Sequence, residues 1–367
     1  MIFATHIPLL LIGLVGLVAG SLIYRVLRKD PLAQFDSPQG QQLIITNKTD
    51  QVASKAALNQ INQRLRSSRA NSTSLSLRRR VPIIREVMEQ FFAADEVNCV
   101  SRFSPVNADG VSAEWVIAPN VDADNNRRLL YIHGGAFIAG SPKSHRIITS
   151  KLSEISNCSV LAIDYRLMPE HPRMAGIEDC RHSYQWLLDH GPQGRKPAST
   201  MFVAGDSAGG NLTLSLLAWL RDTGVMPPNA AVALSPITDL RMRSPSIRDN
   251  LQLDIMLKPL AHRIAKLPRI VLSIAARLMA KHNTRDPVVS PLLGDLSRLP
   301  PVLVLASEHE ILRDDGRRYV NKAIAAGTNA TFLSSEEMPH VWPIFYPHLP
   351  EARLAFDRIE TFLKQHN

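Results

Sequence analysis

Six consecutive residues, Gly205-Asp206-Ser207-Ala208-Gly209-Gly210, set a serine among small neighbours, just after an apolar run and just before a helical one. This is the G-x-S-x-G pattern of a nucleophile carried on a sharp strand-to-helix turn. Such a turn strains the serine backbone and stands the hydroxyl clear of the sheet. Side chains at the flanking positions would collide, so glycine is required there. Ser207 would also face the free N–H groups at the start of a helix, where negative charge is favoured. The chemistry this suits is nucleophilic acyl transfer. A tight turn without chemistry is the bland alternative, and the strand–turn–helix setting weighs against it.

An acyl-transfer serine needs three further parts. The first is a set of N–H donors for the oxyanion. His133-Gly134-Gly135-Ala136-Phe137 follows an apolar strand 74 residues before Ser207. Gly134 and Gly135 are the expected donors there, joined by the N–H of Ala208, the residue after the nucleophile. His133 reads as an orienting residue of that loop. The second part is a base downstream of the serine. Of the twelve histidines, His340 in Met338-Pro339-His340-Val341-Trp342 sits in a loop between the last expected strand and the last helix. The third is a carboxylate just beyond a strand end, facing the histidine. In Ser307-Glu308-His309-Glu310-Ile311-Leu312-Arg313-Asp314-Asp315, Glu310 fits best and Asp314 is the alternative. Glu308 lies too close to the strand, and Asp314 and Asp315 read as caps of the following helix.

These residues need a rigid frame. Short apolar strands are expected at 113–118, 129–132, 160–163, 201–204, 231–234, 302–306 and 331–333. Helical stretches alternate with most of them, near 143–157, 176–190, 208–222, 313–326 and 350–365. Such alternation implies a mainly parallel sheet covered on both faces. Residues 30–55 read as a polar linker. Helical faces at 56–70 and 81–92, together with the stretch 239–290 that interrupts the alternation, read as cap segments near 56–92 and 239–290 of a domain spanning 56–367.

The motifs together resemble the hormone-sensitive-lipase-like bacterial esterases, the GDSAGG group of the α/β-hydrolase superfamily. The resemblance rests on His133–Phe137, Asp164–Pro172, Gly205–Gly210, Ser235–Leu240, Glu310–Asp315 and Met338–Val341, in family order over roughly residues 80–367. It implies an α/β-hydrolase fold: an eight-stranded, mainly parallel sheet, helices on both faces and a helical cap. It also implies short-to-medium acyl esters as substrates, with no metal and no organic cofactor. Tyr165, Glu170 and Asp206 fall on family motif positions and are expected to support the site from behind. Two positions depart from the pattern: Ala136 stands where a third glycine is usual, and Glu310 where aspartate is usual. Deacetylation, amide hydrolysis and lactone hydrolysis would use the same triad. A non-catalytic ligand receptor of this fold would lack the base, and His340 is present.

The 367 residues carry a net charge of +9. Within residues 1–90, twelve Lys and Arg stand against five Asp and Glu, with Arg78-Arg79-Arg80 the densest run. No nucleic-acid motif accompanies the charge, so a solvated or membrane-facing basic surface is expected. Three cysteines, Cys99, Cys158 and Cys180, lack metal or disulfide spacing and read as free thiols. Met1–Tyr24 holds no Lys, Arg, Asp or Glu, and Arg25, Arg28 and Lys29 follow. A single transmembrane anchor over residues 1–29 is expected, with the catalytic domain on the cytoplasmic side. A cleaved signal peptide is the alternative, although its positive n-region is missing. Between Ile255 and Arg285 there are seven basic residues and no acidic one, with apolar residues at helical spacing. That pattern suits a cap helix or a membrane-surface segment.

Overall fold

A computed structural model describes residues 30–38, 40, 42–47, 50–67, 77–93, 99–258 and 269–367. Among these, nine strands form one sheet. They are β1 (Gln42–Ile45), β2 (Arg102–Ala108), β3 (Val111–Ile117), β4 (Arg127–Ile132), β5 (Ser159–Ile163), β6 (Thr200–Asp206), β7 (Ala230–Leu234), β8 (Val302–Ser307) and β9 (Ala330–Ser335). Their spatial order is β1-β9-β8-β7-β6-β4-β5-β3-β2. Only β2 with β3 and β3 with β5 are antiparallel. Strands β4 to β9 are almost continuously apolar because both sheet faces are covered. Leu130, Ile132 and Val203 point to one face and Leu129, Tyr131 and Phe202 to the other, each into its own apolar core.

The numbered helices are α1 (Gln51–Ser67), α2 (Leu77–Ala93), α3 (Arg146–Ser156), α4 (Arg173–Asp189), α5 (Ala208–Thr223), α6 (Arg269–Ala280), α7 (Arg313–Ala325) and α8 (Pro350–Gln365). Ala57, Ile61 and Leu65 of α1 enter the same core as Ala355, Ile359 and Phe362 of α8. The buried Ser54 hydroxyl of α1 donates to Glu351 of α8 at 2.6 Å. Thus α1, expected in the cap, belongs to the layer that covers the sheet.

Two further expectations are corrected. The sheet has nine strands, not eight, and residues 30–55 are not a bare linker. β1 extends the sheet in parallel beside β9, with Gln42 opposite Phe332. The segment before it is fastened to α7. Arg318, almost wholly buried, bonds Asp36 at 2.5 Å and Asp30 at 2.9 Å, and Asn321 donates to the carbonyls of Phe35 and Ser37. Strands β1 and β2 escape the sequence reading because they are edge strands. β1 has four residues with Ile44 exposed, and β2 carries Pro105, which an edge tolerates.

The expected membrane span falls on residues 1–29, outside the described residues. Among the described residues no helix is long and apolar enough to cross a membrane. Leu260, Ile264 and Leu267 of the basic stretch also lie outside them.

Arg318→Met removes the hydrogen bonds that join both aspartates to α7. Hydrogen bonds to charged groups contribute about 1.5–3 kcal/mol each. With both carboxylates free to hydrate, the expected loss is about 2 kcal/mol in urea unfolding. Amide exchange of Gln42–Ile45 should quicken while turnover per folded molecule is unchanged. Unaltered exchange in β1 would show that the strand is held by its pairing to β9 alone.

Candidate active site

β6 ends at Asp206 and α5 begins at Ala208, which leaves Ser207 alone at the corner with φ 51° and ψ −111°. That backbone is in the region non-glycine residues avoid. The corner is tight enough that a Cβ on Gly209 would lie 1.9 Å from the Ile132 carbonyl oxygen. Glycine is obligatory there.

The loop after β9 delivers His340, whose Nε2 lies 2.9 Å from Ser207 Oγ. Its Nδ1 lies 2.9 Å from Glu310 Oε2. Glu310 is wholly buried three residues beyond β8, and its Oε1 accepts the Ser307 N–H at 3.1 Å. The other three carboxylates of the acid segment turn away. Glu308 pairs with Arg317 of α7. Asp314 accepts the Ser246 N–H at 2.9 Å, and Asp315 accepts those of Thr238 and Asp239 at 2.7 and 3.0 Å. Both aspartates therefore brace the 238–246 turn, where the sequence reading has them cap their own helix.

Burial acts to lower the His340 pKa, but the hydrogen bond and charge of Glu310 outweigh it and the net direction is up. Burial pushes the Glu310 carboxyl up as well, against the hydrogen bond from His340. With Glu310 ionised, the neutral imidazole keeps its proton on Nδ1 and offers the Nε2 lone pair to the serine.

The oxyanion loop differs from expectation at one residue. The Gly134 N–H is taken by Asp206 Oδ1 at 2.8 Å. It cannot serve an oxyanion. Among the described residues the N–H groups of Gly135 and Ala136 meet no protein acceptor. The N–H of Ala208 precedes the first intrahelical bond of α5, from Asn211 to Ser207. The available donors are thus Gly135, Ala136 and Ala208. Gly135 has φ 114° and Ala136 has φ 54°, so the alanine holds a conformation that a glycine would adopt freely.

Behind the loop lies a polar cluster. Asp206 Oδ1 also accepts the Tyr131 hydroxyl at 2.6 Å, while Oδ2 stands 3.4 Å from His145 Nε2. Burial acts to lower the His145 pKa, but the charge and hydrogen bond of Asp206, with the Ser141 carbonyl, act against it and the net direction is up. His133 is neutral, its pKa lowered to about 3 by burial and by the nearby His145. Its ring stacks on Tyr165, whose hydroxyl donates to the His133 carbonyl at 2.9 Å. His133, Tyr165 and Asp206 thus support the loop from within. Glu170 acts differently. It is half-exposed and bonds Arg85 of α2 at 2.8 and 3.1 Å. Arg85 in turn donates to the Ile138 carbonyl at 2.7 Å, fastening α2 to the oxyanion loop.

Sequence reading misses His145, Arg85, Asn250 and Asp254. Asn250 donates to the carbonyls of Glu308 and Glu310, and Asp254 accepts the Ile311 N–H at 3.0 Å. None carries a spacing signal, because each acts across the fold, His145 on the Asp206 carboxylate and the other three on backbone groups. No three His, Cys, Asp or Glu side chains among the described residues converge as metal ligands would.

Known proteins are similar to this chain. The profile of the alpha/beta hydrolase fold family matches residues 129–344. An acetyl-hydrolase of Streptomyces hygroscopicus is 40% identical over 254 residues, which are 69% of this chain and 79% of that protein. An esterase of Acinetobacter venetianus is 33% identical over 279 residues, 76% of this chain and 87% of the relative. The crystal structure of an esterase from the bacterial hormone-sensitive lipase family matches with a TM-score of 0.73 at 33% identity, covering 85% of this chain and 98% of that one. With the elbow, the loop and the ordered triad in place, the chain belongs to the alpha/beta hydrolase fold family, within its hormone-sensitive-lipase-like group of bacterial esterases.

Proposed function

We propose that the protein is a serine carboxylesterase that hydrolyses short-to-medium acyl esters through an acyl-enzyme on Ser207. The observation that carries this reading is His340 standing 2.9 Å from Ser207 Oγ and 2.9 Å from Glu310. Oγ attacks the ester carbonyl carbon while Nε2 takes the hydroxyl proton. The carbonyl oxygen becomes an oxyanion facing the N–H groups of Gly135, Ala136 and Ala208. Donors of this kind are each worth about 10²–10³ in kcat. Collapse breaks the bond to the alcohol, which leaves with the proton returned by His340. Water then attacks the acyl-enzyme by the same route and releases the acid. Glu310 holds the ring and stabilises the imidazolium formed in each step.

An acetyl group is one supported acyl choice, because the Streptomyces relative carries the name acetyl-hydrolase. Deacetylation of an amide is the second reading on the same triad. It requires His340 to protonate a poorer leaving group.

Membrane attachment belongs to the proposal too, with the catalytic domain on the cytoplasmic side. The uncharged stretch Met1–Tyr24 and the basic residues after it support an anchor. The outward stripe of α6 supports a resting surface on anionic lipid. Ile274 is 55% and Leu278 72% exposed, Val271 and Met279 are exposed too, and Arg277, Lys281 and Arg285 stand alongside. A chain lacking residues 1–29 should co-float with anionic vesicles at low salt and be released by replacing Arg277, Lys281 and Arg285 with glutamine. No flotation at low salt would leave α6 an ordinary cap helix.

Two kinetic outcomes test the catalytic reading. A fluorophosphonate probe should label the wild type and not Ser207→Ala, whose kcat on aryl acetates should fall by at least about 10⁴-fold. Labelling that survives in Ser207→Ala would sink the assignment. The second is a pH profile. Catalysis needs neutral His340, and its folded pKa is raised above 6.5. The active form is therefore lost as pH falls through a value above 6.5, and kcat/KM should level off on the alkaline side. Glu310→Gln removes the raising charge and leaves burial, which lowers the pKa. The acid limb should move to lower pH while kcat drops by about 10³–10⁴. An acid limb that stays in place would deny that Glu310 sets the imidazole pKa.

A further inference from the structure

Arg173, the first residue of α4, is 2% exposed. A buried guanidinium ordinarily faces a carboxylate, because an uncompensated charge is costly to desolvate. Among the described residues no carboxylate forms an ion pair with Arg173. Its Nη2 donates to Asn211 Oδ1 at 2.7 Å, its guanidinium carbon lies 3.9 Å from the centroid of the Phe137 ring, and Nε has no hydrogen-bond partner. Burial lowers its pKa to about 10, so the group stays charged at neutral pH. It also stands at the positive end of a helix with no acidic residue in the first turn. A methionine would fill the same space without these penalties.

What the cation touches accounts for its presence. Phe137 lies two residues beyond Gly135, and it and Ala136 hold φ values of 63° and 54° that non-glycine residues disfavour. Something must keep this strained loop from relaxing. Asn211 sits one turn into α5, where its N–H bonds the Ser207 carbonyl at 3.1 Å. Its side-chain amide donates to the carbonyls of Ile237 and Val289, so its oxygen is fixed in direction. The guanidinium therefore rests against the loop that carries the Gly135 and Ala136 donors and bonds the helix that begins with Ala208. Cation–π attraction is strongest where the cation is desolvated, as it is here.

We propose that Arg173 is a positioning residue of the oxyanion hole, its guanidinium clamping the Phe137 ring of the loop to Asn211 of the nucleophile-bearing helix so that the three N–H groups converge on one point. The proposal rests on the Ser207 esterase reading. A donor displaced by about 1 Å costs on the order of 10² in rate, so partial loosening should cost about 10- to 100-fold.

The test is steady-state hydrolysis of an aryl acetate together with inhibition by an alkyl boronic acid, which forms a tetrahedral adduct on Ser207 Oγ. Full-length wild type, Arg173→Met, Arg173→Lys, Phe137→Leu and the Arg173→Met/Phe137→Leu double variant are compared. Arg173→Met should lose about 10- to 100-fold in kcat with KM within about threefold, and boronate affinity should fall in parallel. Arg173→Lys, which keeps a cation over the ring, should recover part of the loss. The double variant should be no worse than Arg173→Met. An Arg173→Met protein with wild-type melting temperature, kcat and boronate affinity overturns the clamp, as does a loss confined to KM. Should Arg173→Met fail to fold, Phe137→Leu decides, because wild-type kcat in that variant removes the clamp's upper half. Absence of Ser207-dependent hydrolysis in the wild type would overturn the esterase reading itself, an outcome distinct from an active wild type indifferent to Arg173.

Discussion

An imidazole buried in protein must alternate between neutral and cationic forms during catalysis, and the cationic form is costly there unless a negative charge is already in place. The His340–Glu310 hydrogen bond meets that requirement, and much of the surrounding structure exists to keep it. Glu310 is equally costly to bury, so the segment that carries it is fixed at many points. Its side chain accepts the Ser307 N–H, and its carbonyl and that of Glu308 accept from Asn250. The next peptide is held by Asp254. On the histidine side the Val341 N–H donates to Ser235 Oγ at 3.1 Å. Asn250 and Asp254 come from the stretch between β7 and β8, and Ser235 follows β7. The pair is thus gripped by segments distant in sequence, and the cap stretch works as a brace for the acid as well as a cover.

The same logic governs the opposite wall of the site. Asp206 and His145 form a second buried carboxylate–imidazole contact, and Asp206 spends one oxygen on the Gly134 N–H. That bond withdraws the first glycine from the oxyanion and leaves the N–H groups of the next two residues as the loop's donors. Both walls use a buried carboxylate to fix a peptide or a ring, and both leave their working atoms half-open to substrate.

Much of this was legible in the chain. The central strands announce themselves through continuous apolar runs, because burial on both faces leaves no polar alternation to confuse them. Ser207, His340 and Glu310 follow from a turn that only small residues permit and from where strands end. What escaped is equally physical. β1 and β2 are edges, short or broken by proline, and an edge needs little apolar side chain. Gly134 reads as a donor from sequence because motif spacing shows which residues approach the oxyanion but not which way each N–H points. His145 and Arg85 bond across the fold, and no local pattern marks them. Asp314 and Asp315 stand in the first turn of α7, where capping is the local expectation, yet tertiary partners claim them.

Strand register carries a consequence of the Asp206–Gly134 bond. β4 and β6 run side by side with Ile132 opposite Gly205, so Asp206, the last residue of β6, comes within reach of Gly134, two residues beyond β4. A slip of a single residue between these strands would exchange the faces of their side chains and part the carboxylate from its amide. Nucleophile and anion-binding loop would then no longer meet. A chain that has collapsed with its central strands misaligned therefore has no competent site, and hydrolytic activity during refolding serves as a reporter of correct alignment at the centre of the sheet.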